Sequence, residues 1–282
     1  MEKSILVLGG GGTGKTNYGA QLLLRLEAGE GGCKVYEPPT NITPLEDART
    51  RLNNGLAASH TVGTQTTKMV LPIEFNGGRR VRLEWPDYAG ERLSELVKLR
   101  QGASDWTKDL RSADAWLLFI RHDQMQQGND ILNRPIQDAL LRKNFASSSE
   151  VVPWSAQAQL VELLQMLLFL GGYERQKHLS KPSLGIALSC YDTLVERERL
   201  PDPDTAFKSI APLVSGFIRS NWNERSRTVF GLSALGKSLS DESRDEDFID
   251  RGPHTQGWVI KPDGEKTQDL TWPLQRLIND TL

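Results

Sequence analysis

Cysteine is nearly absent. Cys33 and Cys190 are the two in 282 residues, too few for a disulfide framework, and neither stands in metal-ligand spacing with His60, His122, His178 or His254. A cytoplasmic location is the expectation. A surplus of positive charge is missing as well, since 34 Lys and Arg face 36 Asp and Glu for a net charge of −2. That balance argues against nucleic acid held on a broad basic face, and the cluster Arg79, Arg80 and Arg82 reads as a solvated hairpin. Long apolar runs are lacking too. The most lipid-like segment, Leu160 to Leu170, is shorter than the roughly 20 residues a membrane span needs and carries Glu162 and Gln165. It reads as a buried helix, so no membrane span is expected. The first apolar run is too short for a secretory leader and opens into a glycine loop. What remains is an ordinary globular composition, 38% apolar and 25% charged, with room for one large domain or two small ones. Without a repeat, a low-complexity tract or a composition break, the expectation is a single domain over residues 1–282.

Directly after the apolar run Ile5-Leu6-Val7-Leu8 comes Gly9-Gly10-Gly11-Gly12-Thr13-Gly14-Lys15-Thr16, which reads as a buried strand, a glycine loop and a helix start in one segment. Glycines let successive backbone N–H groups turn inward on anionic oxygens where a Cβ would collide or forbid the φ required. The pattern is a phosphate-binding P-loop. Lys15 is expected to reach the β- and γ-phosphates and the Thr16 hydroxyl to enter a Mg²⁺ shell, at a helix N-terminus that already favours anions. Asn17 completes this part of the nucleotide-binding set.

The helix should run from Lys15 to Glu27 and stop at Gly29, with Leu22, Leu23 and Leu26 turned to the core. Pro38, Pro39 and Pro44 break the next stretch, and a short helix is expected from about Leu45 to Leu56, ending near Gly55. Strands Lys68 to Phe75 and Arg80 to Trp85 flank Asn76-Gly77-Gly78, a hairpin turn signal. Ala115 to Ile120 reads as a strand buried on both faces, with Leu184 to Leu188 and Thr228 to Leu232 as companions. Helices at Trp154 to Leu170 and Ala206 to Trp222 separate them. Alternating strands and helices behind a P-loop predict a three-layer α/β fold, a P-loop NTPase sheet that is mostly parallel with one antiparallel hairpin strand.

Asp87-Tyr88-Ala89-Gly90 stands at the carboxyl end of the second hairpin strand and resembles the D-x-x-G element of GTPases. That resemblance makes Asp87 a Mg²⁺ holder through water and gives the Gly90 N–H to the γ-phosphate, so that losing the phosphate releases the following segment. Ser233-Ala234-Leu235 resembles the element whose backbone N–H touches guanine O6. Ser189-Cys190-Tyr191-Asp192 occupies the place of the guanine-selecting [NT]-K-x-D. Asp192 is retained, suited to accept from guanine N1 and N2 where adenine would be rejected, while Cys190 replaces the lysine. The missing lysine predicts weaker nucleotide binding. Between Thr61 and Thr64 the spacing does not choose a switch threonine for Mg²⁺ and the γ-phosphate. Glu91 follows D-x-x-G where many small GTPases carry a water-orienting glutamine, and a carboxylate there predicts slow hydrolysis. Lys15, Thr64 and Glu91 form the candidate catalytic set. Arg92 and Arg100 are candidates for an internal arginine finger, with surface arginines of a helix as the preferred reading.

Together these elements resemble the TRAFAC-class GTPases. The segment Trp85 to Arg92, the Thr-rich switch, and the tail from Gly257-Trp258-Val259-Ile260-Lys261-Pro262-Asp263-Gly264 to Asp269-Leu270-Thr271-Trp272-Pro273-Leu274 resemble the bacterial double-GTPase family, which is associated with multi-gene systems of biological conflict or defence. The resemblance implies GTP or GDP with Mg²⁺ as cofactors and a protein effector or regulator as partner, with dimerisation across nucleotide faces as another mode. Inserts are expected at about 29–59, 124–153 and 240–269, the last as a hairpin turning at Pro262-Asp263-Gly264 before a short closing helix. Two other readings stand beside this one. One is a P-loop ATPase or small-molecule kinase, with Phe119-Ile120-Arg121-His122-Asp123 carrying a second acidic motif. The other is a module that binds nucleotide without hydrolysing it.

Overall fold

The computed structural model describes residues 2–29, 32–58, 68–85, 104–125, 155–195 and 202–279. Among them lie β1 (Lys3–Leu8), β2 (Cys33–Val35), β3 (Met69–Phe75), β4 (Arg79–Trp85), β5 (Ala115–Arg121), β6 (Ser183–Ser189), β7 (Arg227–Ser233), β8 (Trp258–Ile260) and β9 (Lys266–Thr267), with helices α1 (Lys15–Glu27) and α2 (Thr43–Asn53) leading the helical layers. The strands form one sheet in the order β2-β3-β4-β1-β5-β6-β7-β8-β9. From β4 to β7 every neighbour pair is parallel, as the buried apolar runs predict.

The edges depart from the expected single hairpin strand. β2 joins β3 antiparallel at one edge, and at the other β8 pairs antiparallel with β7 and β9 antiparallel with β8. Two of these three extra strands are three residues long and the third is two, so they carry no period-2 signal of their own and exist through pairing with a longer neighbour. The turn at Pro262-Asp263-Gly264 does form a hairpin, closed by Lys261 N–H on the Glu265 carbonyl at 2.8 Å.

Side chains alternate across each strand, and β1 shows the result. Leu6 and Leu8 face Trp116, Leu118 and the apolar helix Ala156–Gly171 on one side of the sheet, while Ile5 and Val7 face α1, Phe119 and the closing helix Trp272–Asn279 on the other. The helix Ala156–Gly171 is capped by Ser155, whose Oγ accepts from the Ala158 N–H, and ends at Gly172 with φ 76°. It buries Leu163, Leu164 and Leu167. The helix expected at 206–222 is two helices, Pro203–Ile210 and Pro212–Asn221. Pro212 has no N–H to continue the first helix and holds Ala211 out of helical conformation, at φ −134°.

α1 is fastened to the end of the chain along one face. Tyr18, Gln21 and Arg25, spaced i, i+3 and i+7, lie on one stripe of the helix. The Tyr18 hydroxyl donates to the Leu270 carbonyl at 2.9 Å. Gln21 Nε2 donates to Pro253 and Gln256 at 2.6 and 2.7 Å. Arg25 donates to Gln268 and, at 2.6 Å, to Gln256. All three side chains are buried. Arg25→Met keeps the stem and removes the donors, leaving buried carbonyls unpaired; a loss of about 2–4 kcal/mol and a fall in Tm of roughly 5–10 °C are expected in thermal unfolding.

Candidate nucleotide-binding site

Five parallel strands bring their carboxyl ends to one edge of the sheet, the edge where open α/β sheets bind ligands. In spatial order these ends are Trp85 of β4, Leu8 of β1, Arg121 of β5, Ser189 of β6 and Ser233 of β7. The order sets what each can reach.

The loop after Leu8 needs its glycines at particular points. Gly9 has φ +142°, and a Cβ there would lie 2.8 Å from the Phe119 carbonyl oxygen; Gly14, at φ +85°, is the residue from which α1 starts. No side chain caps that start, and Gly11 has open space where a Cβ would be. The result is a backbone cradle at a helix N-terminus, which fits a phosphate chain. Thr13, buried, closes the loop by donating from Oγ1 to the Gly10 carbonyl at 2.9 Å.

Lys15 is folded across the same loop. Its Nζ donates to Gly9 and Gly10 carbonyls at 2.7 and 2.5 Å and to Thr13 Oγ1 at 3.1 Å. Burial lowers its pKa to about 8, because neutral carbonyls replace water without bringing a negative charge. Such a lysine is suited to an anion. Thr16 sits half-buried in the first turn of α1, placed by the helix beside the cradle. The Asn17 side chain turns elsewhere, its Oδ1 accepting from the Ala58 N–H at 3.1 Å, so in this structure it fastens the chain before residue 59. Thr61, Thr64, Asp87, Gly90 and Glu91 lie outside the described residues, as do Arg92 and Arg100. β4, ending at Trp85, runs parallel beside β1.

Beyond β5 the second half of the site is assembled by a contact between strand ends. Ser233 Oγ donates to Asp192 Oδ1 at 2.6 Å and in turn accepts from the Gly236 N–H at 3.0 Å. Asp192, buried, opens the short helix Asp192–Val195, and Tyr191 N–H donates to the Leu232 carbonyl at 3.1 Å, binding the 189–192 turn to β7. The carboxylate is thereby oriented by another strand. Cys190 takes a left-handed backbone, φ 54°, and burial pushes its thiol pKa up, so it remains a neutral group. Ala234 follows Ser233 at the edge, with Gly257 packed on its carbonyl. The Leu235 side chain serves packing, joining Ala20, Leu24 and Phe248.

One residue of this edge was not expected in a nucleotide role. Arg121 Nη1 donates to the Gly12 carbonyl at 3.2 Å, and its Nε is held by Asp123 at 2.8 and 3.1 Å. The available signal was a cation at the carboxyl end of a strand buried on both faces; its neighbour on the P-loop is tertiary and leaves no trace in local pattern.

A family sequence model described as Double-GTPase 1 matches residues 6–277. The chain belongs to the Double-GTPase 1 family. No curated protein matches it. Solved structures similar to this Double-GTPase 1 chain include the Saccharomyces cerevisiae Ski7 GTPase-like domain bound to GTP, at 14% identity, 84% coverage of this chain and 44% of that one, with TM-score 0.41. The same domain bound to GDP and inorganic phosphate gives 14% identity, 90% and 49% coverage, and TM-score 0.42. The Arl6 BBS3 small GTPase from Trypanosoma brucei with bound nucleotide analogue GppNp gives 11% identity, full coverage of both chains and TM-score 0.41. This chain spans about half the length of the Ski7 chains it matches. Among the described residues no helix is long and apolar enough to cross a membrane.

Proposed function

We propose that this Double-GTPase 1 chain is a Mg²⁺-dependent GTP-binding switch with slow hydrolysis, whose segments around Thr61 and Thr64 and from Asp87 to Arg92 report nucleotide state to a partner protein. The observation that supports it most is the pairing of two unlike sites on one sheet edge, the phosphate cradle after β1 and the Ser233-oriented Asp192 carboxylate after β6. Two strand spacings, about 10 Å, separate β1 from β6, within the reach of a nucleotide from phosphates to base. In this reading the loop N–H groups and Lys15 hold the β- and γ-phosphates, Asp192 accepts from guanine N1 and N2, and the backbone of Ser233, Ala234 and Leu235 meets O6. Thr16, Asp87 and a switch threonine offer the hard oxygen ligands Mg²⁺ takes. Bound Mg²⁺ supplies neutralisation of the phosphate charge. Glu91, acidic beside that charge, is a poor orienter of water, so turnover on the order of minutes to hours is expected without a partner.

The partner is a protein effector or regulator in the cytoplasm, with a second copy across the nucleotide edge as the alternative, and the proposed setting is a bacterial conflict or defence system. Titration calorimetry of GTP, GDP and ATP, with and without Mg²⁺, tests the nucleotide reading. Guanine nucleotides should bind, and ATP roughly a hundredfold or more weaker. Preference for ATP would overturn the guanine assignment, and absence of phosphate release above a Lys15→Ala control would leave a binding module in place of a GTPase.

A further inference from the structure

Arg121 closes β5 between the phosphate cradle and the base-reading turn, and the function proposed above does not use it. Its Nη1 bonds the Gly12 carbonyl while Asp123 holds its Nε with both carboxylate oxygens. Its backbone pairs in register with Ser189, the residue before Cys190. Asp123 raises the arginine pKa above its ordinary value, and Asp192 is close enough to add to that effect. A planar cation, permanently charged, is thus fixed in the interval between β1 and β6. β4 lies on the other flank of β1; in the reading above, where the γ-phosphate faces that flank, the interval occupied by Arg121 is the one the nucleoside crosses to bring its base to Asp192. The 189–192 turn brings no cation to that interval, because position 190 is a half-buried, neutral cysteine.

We propose that Arg121 supplies the cation that the 189–192 turn lacks, holding the nucleoside with its guanidinium while anchoring it to the P-loop through Gly12, with Asp123 as its positioning residue. The inference rests on the GTP-binding reading above. A guanidinium suits the task because it can lie against a purine face and still direct its edge N–H groups at oxygens. The weaker binding expected from the missing lysine is then offset from the neighbouring strand.

The test uses the full chain, with GDP, GTP and inorganic tripolyphosphate as probes, each with Mg²⁺, measured by calorimetry. Arg121→Ala should weaken GDP and GTP about tenfold and by the same factor, leave tripolyphosphate at the wild-type value, and Arg121→Lys should recover part of the loss. Thermal unfolding of the nucleotide-free variants checks that each is folded, and Arg121→Lys serves if the alanine variant is not. An equal loss for tripolyphosphate would make Arg121 a support of the loop alone, and a loss confined to GTP would place it on the γ-phosphate; unchanged affinities would remove it from the site. Any of these overturns the proposal. A wild-type chain that binds no guanine nucleotide overturns the GTP reading itself, and is distinguished by needing no variant.

Discussion

Asp192→Asn should turn a guanine site into a xanthine site. Guanine offers N–H donors at N1 and N2, and the Asp192 carboxylate, held by Ser233 Oγ at 2.6 Å, offers acceptors to meet them. An asparagine amide presents a donor where guanine also has one, and xanthine, with an oxygen at position 2, becomes the matching base. GTP affinity should fall by about two orders of magnitude, the cost of charge-assisted bonds replaced by an unpaired donor, and xanthosine triphosphate should gain by a similar factor. Competition binding with the two nucleotides reads both changes. Unchanged GTP preference would remove Asp192 from base recognition. Ser233→Ala should act in the same direction but less, since it frees the carboxylate to turn without removing it.

Lys15→Ala should reduce nucleotide affinity about a thousandfold, a loss of charge-assisted bonds to phosphate, and it should also change the pH dependence. In the folded chain burial holds Lys15 at about 8, below its ordinary 10.5. Phosphate bound beside it favours the charged form and raises that value. The lysine therefore contributes fully to binding below pH 8, and its contribution declines as pH rises from 8 towards the bound-state pKa. Wild-type affinity should drop across that window with proton uptake on binding, and the alanine variant should lack this component. The stability of the nucleotide-free chain carries the opposite sign. Between pH 8 and 10.5 the unfolded chain holds the Lys15 proton and the folded chain does not, so this group adds stability as pH rises. Lys15→Met, which removes a desolvated charge, should leave the unliganded chain no less stable at pH 7, as thermal unfolding at several pH values will show.

The parts legible in the sequence were those whose cause is local. A glycine loop needs glycines wherever it occurs, Asn76-Gly77-Gly78 turns a hairpin by its own torsions, and a strand buried on both faces, such as residues 115–120 of β5, cannot avoid being apolar throughout. The family resemblance read from short motifs agrees with the family model that matches residues 6–277. What could not be read depends on partners distant in sequence. β2 is a strand because Phe75, Glu74 and Ile73 offer it an edge; Cys33-Lys34-Val35 alone says nothing. Within the site, the Asp192 spacing pointed to base recognition, but its alignment by Ser233 spans 41 residues and the Arg121 bond to Gly12 spans 109. Asn17 shows the converse, a residue placed by motif next to the phosphates whose side chain is engaged by Ala58.

The stripe of α1 that faces the chain's last segment also sets an order of events in folding. Its bonds to Gln256, Pro253 and Leu270 join residues separated by 231, 232 and 252 positions, the kind of long loop whose closure entropy is compensated late. On the ribosome the glycine loop and α1 emerge more than 230 residues before those partners, and until then the donors of Tyr18, Gln21 and Arg25 have nothing of the tail to hold. The cradle is therefore early in synthesis and late in assembly. The proposed nucleotide, binding only the seated loop, would act by mass action on this closing step and raise the closed fraction with its concentration.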